Sequence, residues 1–146
     1  MPQPGLQPVY YRSFQFLVEI DNVGIGCQEV GGLDATIDMT EYREGGMALG
    51  TVKLPGQTKH SNLSLKRGYT NDKQLYTWFE DVMTGRTEKI RRHISVIQID
   101  MNGKEVFRWN LYNAFPVKYT GPAFNAKGND LSIETLEVAY ERIERA

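Results

Sequence analysis

Cysteine and histidine are nearly missing from this 146-residue chain, which holds only Cys27, His60 and His93. One cysteine allows no internal disulfide and no cysteine metal cluster, which suits folding in a reducing cytoplasm. Cys27 itself reads as a small buried apolar residue. The two histidines fall in separate strand-edge regions, with neither a His-Glu-x-x-His pattern nor Cys/His spacing. Hydrogen-bonded surface positions therefore outweigh metal or acid–base work. No catalytic residue, metal site or cofactor is expected. An excess of one charge is missing too: 17 basic residues against 18 acidic ones leave a net charge of -1, too little to hold a phosphate backbone or an anionic lipid surface. Nothing approaches the roughly 18 apolar residues of a membrane span. The N-terminal MPQPGLQPVYYRSFQF carries neither the basic leader nor the apolar run of a signal peptide. Gly24 and Gly26 lie within a strand hairpin rather than ahead of a helix, which argues against a phosphate loop.

What the chain does have is the composition of an ordinary globular domain, 40% hydrophobic and 24% charged, and a length that suits one domain over residues 1–146. Alternation with a period of two dominates it, the pattern of strands with one buried face. In RSFQFLVEI, Phe14, Phe16, Val18 and Ile20 share a face. Asp21 and Asn22 then turn the chain into a second strand carrying Val23, Ile25 and Cys27. LDATIDMT puts Leu33, Ala35, Ile37 and Met39 inward and Asp34, Thr36, Asp38 and Thr40 outward. SNLSLKRG puts Leu63 and Leu65 inward and Asn62, Ser64 and Lys66 outward. HISVIQID and EVFRWNLYNAF make a second hairpin through a type I′ turn at Asn102 and Gly103, with Phe107, Trp109 and Leu111 inward. Gly121, Pro122, Gly128 and Asn129 mark a loop. In LSIETLEVAYER the apolar parity switches between Ile133 and Leu136, which predicts a bulge near Thr135. One helix is expected in NDKQLYTWFEDVMTG, where Leu75, Trp78, Phe79 and Val82 form a single stripe. Asn71 is its candidate cap, Gln74 the capping-box partner and Gly85 the stop. The sum is a mainly β fold, a β-sandwich or barrel with one α-helix plugging the sheet.

Asp34 and Asp38 are the best-placed paired carboxylates, i and i+4 on one strand face, an arrangement that serves glycoside hydrolysis when a cleft flanks it. Thr36 and Thr40 continue that face, so the pattern is that of a solvated sheet. The stretch EYREGGMALGTVKLPGQTKH, from Glu41 to His60, resists a purely structural reading. It is a long polar loop between two alternating segments, and loops of that length are seldom idle. Its sizeable apolar groups, Met47, Leu49, Val52 and Leu54, are spaced among Gly45, Gly46, Gly50, Pro55 and Gly56.

Five pieces, YREGG, LPGQTKHSNLSLKRG, LYTWF, WNLYNAFPVKYTGPAF and IETLEVAYE, closely resemble in order and spacing the tail tube protein family of contractile phages and phage-derived contractile injection systems. The resemblance runs from about Tyr11 to Tyr140. The family's usual ending, similar to His-Glu-Gly, is replaced here by Tyr140, Glu141 and Arg142 and a short charged tail. The resemblance implies a subunit that closes into a six-membered ring, sharing its sheet around the ring, with rings stacking into a hollow tube inside a contractile sheath. Closure of that kind also removes exposed sheet edges. Residues 1–11 would be an N-terminal extension and 41–60 a protruding loop or hairpin arm. Its Glu44, Gly45, Gly46, Met47, Leu49, Val52, Leu54, Pro55 and Gly56 would reach a neighbouring subunit or ring. Asp34, Thr36, Asp38, Thr40, Asn62, Ser64 and Lys66 would line the channel, since outward polar positions suit a sheet whose back packs on its own core. The implied partners are further copies of the chain, a sheath protein, baseplate or initiator tube proteins, a terminator cap, and an effector or DNA passing through the lumen. Neither a cofactor nor membrane binding is implied. Assembly would take place in the cytoplasm, ahead of a virion tail or a released extracellular injection particle. Two other readings are a type VI secretion tube protein and a monomeric small-ligand β-barrel using Asp34 and Asp38. Oligomeric state separates the barrel from both tube readings.

Overall fold

The computed structural model describes residues 16–43, 45, 50–85, 90–128 and 131–146. Phe14, Asn129 and the N-terminal extension over 1–11 lie outside the described residues. Strand β1 (Phe16–Ile20) turns at Asp21 and Asn22 into β2 (Val23–Ile25). Both turn residues take positive φ, 50° and 67°, as a type I′ hairpin requires and as Asp and Asn tolerate. β1 pairs antiparallel with β7 (Arg92–Ile99), and β7 with β8 (Glu105–Thr120). Val18 lies opposite Val96, and Ile20 opposite Ile94, which in turn faces Leu111. These pairs stack one apolar face, as the alternation predicts. The β7–β8 turn differs from expectation. Gly103 alone takes positive φ, 78°, while Asp100 Oδ1 accepts from the backbone N–H of Asn102 and of Lys104. The aspartate side chain organises a longer turn, so Asn102 need not enter the left-handed region.

Sixteen residues long, β8 serves two halves of the sheet. Up to Ala114 it pairs with β7, and from Phe115 it pairs with β9 (Ile133–Ala139). Between them Asn113 takes φ 54°, a kink that lets one strand leave one ladder and enter the next. β9 then pairs with β6 (Leu63–Gly68), and β6 with β3 (Glu29–Gly31). The path runs β2-β1-β7-β8-β9-β6-β3, with no ladder joining β2 to β3 among the described residues. Both halves send their apolar faces into one cluster. Val18, Ile94 and Leu111 come from one, Leu63, Leu65, Leu136 and Val138 from the other. The charged C-terminal tail, which carries a single apolar residue among four, forms β10 (Arg142–Arg145) on the free edge of β8. Its Ile143 lies opposite Leu111 and packs on the core, while the Arg142 guanidinium covers the Tyr112 ring at 4.1 Å.

Helix α1 (Gln74–Met83) plugs the cluster with Leu75 and Trp78, both fully buried. The indole N–H donates to the carbonyl of Ile90 at 2.7 Å, which satisfies a buried donor. Gly85 ends the helix at φ 76°, as expected of a glycine stop. The start is a correction. The residue at the N-cap, Lys73, makes no side-chain cap hydrogen bond, and Asn71 does not serve. Asp72 Oδ1 instead accepts from the Gln74 N–H, and Thr70 Oγ1 accepts from the Asp72 N–H. Because the helix begins at Gln74 itself, that residue cannot be the third-position partner of a capping box.

The expected bulge near Thr135 is also absent, since β9 keeps unbroken register with β6 from Ile133 to Val138. The register shift lies in β8, between Pro116 and Lys118. Inward parity therefore runs Glu134, Leu136, Val138, with a carboxylate at an inward position. Glu134 is 3% exposed and Arg67, opposite it in the ladder, 5%. The Arg67 Nε stands 2.9 Å from Glu134 Oε1, and the Tyr119 hydroxyl donates to Oε2 at 2.6 Å. Arg67 Nη2 also donates to Thr70 Oγ1 and to the Asp72 carbonyl, so one guanidinium joins β6 and β9 to the approach of the helix. Removing one partner of such a buried pair strands the other charge. Arg67→Ala should therefore cost about 3–5 kcal/mol in urea unfolding, with Arg67→Met plus Glu134→Leu costing markedly less. A single-variant cost below about 1 kcal/mol would show that the pair does not organise the interior.

Candidate functional site

Apart from the main sheet stands a two-stranded ribbon of β4 (Thr36–Tyr42) and β5 (Val52–Lys59), which among the described residues ladder only with each other. Both flanks of what the sequence suggests is a polar loop, Glu41 and Tyr42 on one side and Val52–Lys59 on the other, are therefore strand. The pairing starts at Thr36 opposite Lys59 and runs to Tyr42 opposite Val52. Pro55 and Gly56, poor strand formers, are accommodated at a register shift between Ile37 and Met39. There Gly56 relieves crowding, because a Cβ would stand 3.0 Å from the Asp38 carbonyl oxygen. Of the expected arm residues, Glu44, Gly46, Met47 and Leu49 lie outside the described residues. Gly45 is exposed, and Val52, Leu54, Pro55 and Gly56 lie on β5.

Strand parity sorts the ribbon into two unlike faces. On one, Tyr42, Val52, Thr40 and Leu54 make an apolar distal end, and the Asp38–Lys59 ion pair at 3.0 Å makes the polar root. On the other, Glu41 and Lys53 are distal, while Met39, Pro55 and Ile37 make an apolar root. Ile37 and Met39, expected to face the core, are 59% and 55% exposed. The alternation is real, but its apolar side points away from this chain's interior. All of β5 is exposed.

At the neck the ribbon meets the body. The buried Tyr140 hydroxyl lies 2.7 Å from the Gly32 carbonyl and 3.2 Å from that of Asp34. His60 Nδ1 is 2.9 Å from the same Asp34 carbonyl, and the His60 and Tyr140 rings stand 4.9 Å apart. Because a carbonyl only accepts, Nδ1 carries the proton. Gly32 takes φ 98°, and any Cβ there would lie 2.3 Å from the Asn62 carbonyl oxygen. Asp34 Oδ1 accepts from the Ser61 N–H at 2.8 Å. That hydrogen bonding holds the Asp34 carboxyl below the ordinary aspartate range, with the His60 charge adding to it.

The seven polar positions expected in a channel occupy two places. Thr36, Asp38 and Thr40 belong to the ribbon, with Asp34 and Asn62 at its neck. Ser64 and Lys66 lie on the outer face of β6. There charges pair across strands, Lys66 with Glu29 and Lys118 with Glu137, both at 3.8 Å. Asp34 and Asp38 are engaged separately, with Ser61 and with Lys59, so the structure does not unite them as a carboxylate pair. Burial pushes the Cys27 thiol up to about 11, which keeps it protonated and a poor nucleophile. Among the described residues no group of three His, Cys, Asp or Glu is placed to hold a metal, and no helix is long and apolar enough to cross a membrane. Arg67, Glu134 and Tyr140 went unassigned as network residues in the sequence. The only signals were an arginine and a glutamate at inward parity.

A family model described as the T4-like virus tail tube protein gp19 matches residues 12–144. A search of curated proteins finds no match. Among solved structures, the chain is similar to one in the PVC sheath–tube complex of an extracellular contractile injection system in its extended state. The two share 26% identity over 92% of this chain and 90% of that one, with a TM-score of 0.83. A chain in the anti-feeding prophage baseplate matches at 27% identity over 96% and 97%, TM-score 0.83. Hcp1 from Flavobacterium johnsoniae shares the fold at 16% identity over 90% and 94%, TM-score 0.54.

The Ser61 hydrogen bond favours ionised Asp34, so its contribution is fully present above the ordinary aspartate value and is lost as pH falls through the lowered one. In an acid titration followed by NMR, the Ser61 amide shift should show a midpoint below about 3.9. A midpoint at or above that value would contradict the neck geometry.

Proposed function

Because the chain belongs to the T4-like virus tail tube protein family, we propose that it is the structural subunit of the inner tube of a contractile phage tail or extracellular contractile injection system. It forms six-membered rings that stack around a channel. The observation that carries the proposal is the ribbon of β4 and β5, whose exposed apolar residues have no use inside the monomer. Ile37, Met39, Val52 and Leu54 each contribute roughly 1.5–3 kcal/mol when fully buried, and a ring repeats that gain at every interface. With apolar groups at the root of one face and the tip of the other, the arm is built to be covered on both sides by neighbouring copies. The edges of the body sheet at β2, β3 and β10, open among the described residues, would be protected by the same closure.

The outer face around Ser64 and Lys66, with Asp34, Thr36, Asp38, Thr40 and Asn62, lines the channel in this reading. Its cross-strand ion pairs leave little unbalanced charge to hold an effector or DNA in transit. The subunit acts mechanically and is not an enzyme, a reading supported by a protonated Cys27 and by aspartates engaged one at a time. Sheath, baseplate and terminator proteins are its partners, as the solved sheath–tube, baseplate and sheath/tube terminator assemblies suggest. Assembly in the cytoplasm precedes incorporation into a virion tail or a released particle.

Native mass spectrometry and negative-stain microscopy of the purified chain, alone and with sheath and baseplate partners, should show hexamers and stacked tubes. Ile37→Asp with Leu54→Asp, one change on each ribbon face, should leave the monomer folded and abolish the tubes. A chain that stays monomeric at high concentration with all partners present would contradict the proposal, as would tubes of parental appearance from the double variant.

A further inference from the structure

We propose that Tyr140, together with His60, is the positioning residue that fixes the direction in which the arm leaves the body, and that tube assembly depends on that fixed direction. This rests on the tube reading above. The arm joins the body through two short segments, 32–35 outgoing and 60–62 returning, and among the described residues its strands ladder with nothing else. Such a ribbon is a lever. β5 alone spans roughly 26 Å at about 3.3 Å per residue. A swing of about 10° at the neck would therefore move the tip by roughly 4–5 Å, the reach of an entire apolar contact. An arm that must seat apolar residues on two faces needs the neck held more tightly than backbone continuity alone provides.

The hydroxyl of Tyr140 supplies that hold from the far end of the sequence, 108 residues beyond Gly32. It has a single proton, which goes to the nearer Gly32 carbonyl at 2.7 Å, with Asp34 at 3.2 Å as the weaker branch. A phenylalanine would fill the same 7%-exposed place in the core. The hydroxyl's bonds both go to the neck, so the oxygen serves the arm while the ring serves the body. His60 completes the clamp on the returning segment. Its ring lies against Tyr140 while Nδ1–H donates to the same Asp34 carbonyl at 2.9 Å. Gly32 lets the segments touch, its missing Cβ leaving room for the Asn62 carbonyl. Both crossings of the neck are thus tied to one side chain of the core.

The test is Tyr140→Phe, which keeps the ring and removes the oxygen. Two readouts separate an effect on the arm from one on the body. Thermal melting should fall by no more than about 5 °C, as expected for one hydrogen bond. The concentration needed for tube growth should rise at least about tenfold. On the monomer, spin labels at Lys53→Cys and Lys118→Cys in a Cys27→Ser background should give a broader arm-to-body distance distribution when Tyr140→Phe is added than without it. Assembly at the parental concentration, or an unchanged distribution, would overturn the proposal. So would a melting fall of more than about 10 °C in step with lost assembly, because the hydroxyl would then be holding the body. If the parent chain forms no tubes at all, the tube reading fails, and the monomer distances still decide whether the clamp orients the arm.

Discussion

A two-stranded ribbon has two faces and no interior, and this subunit builds one out of residues that gain from burial. Isolated ribbons of that size are marginal in water. The body must therefore fold without the arm, and the arm must find cover elsewhere. The first condition is met by a core that draws on both halves of the bent sheet and on Trp78 of the helix, with nothing contributed by β4 or β5. In the proposed tube, the second accounts for Ile37, Met39, Val52 and Leu54 being apolar and exposed. In that reading fold and assembly are written into separate parts of one chain, which meet at the neck.

Inside the body, the buried Arg67–Glu134 pair plays a different part. Replacing such a pair by well-packed apolar residues is often neutral or stabilising, so its presence argues little for added stability. What it does is fix positions. Arg67 touches Glu134 on β9 and the Thr70–Asp72 approach to α1, while Tyr119 on β8 holds the second carboxylate oxygen. Burial and that carboxylate push the Tyr119 hydroxyl well above its ordinary range, so it stays a donor throughout the physiological range. A one-residue slip of β9 against β6 would separate the charges, which makes the pair a register device for the half of the sheet that the neck grows from.

Much of this fold was legible in the sequence, and the failures share a physical cause. The Asp21–Asn22 turn, the apolar stripe of α1 with its Gly85 stop, and the alternation of β7 with β8 were readable because their signals are local. Alternation at Ile37 and Met39 was also read correctly as a strand, but periodicity cannot tell a face buried in its own core from one that points away from it. The bulge expected near Thr135 is absent; a charge at an inward position, Glu134, looks like a break in parity until its partner, far away in sequence, is known. The neck was invisible for the same reason. Its contacts join a phenol to backbone carbonyls, which carry no sequence signal. β10 hid behind its charges, with only Ile143 to betray the buried side. Asp72, not Asn71, accepts from the first helical N–H because α1 begins at Gln74, two residues later than the Asn71–Gln74 capping-box spacing implies.

The central claim is that the arm exists for other copies of the chain, and amide hydrogen exchange compares its two states directly. In the monomer, amides of residues 36–43 and 50–59 should exchange fast, well ahead of those in the β6–β9 ladder, because little but one ladder protects them. In assembled tubes the same amides should slow by at least about a hundredfold, while the body changes far less. Arm amides that exchange at one rate in monomer and tube would contradict the account.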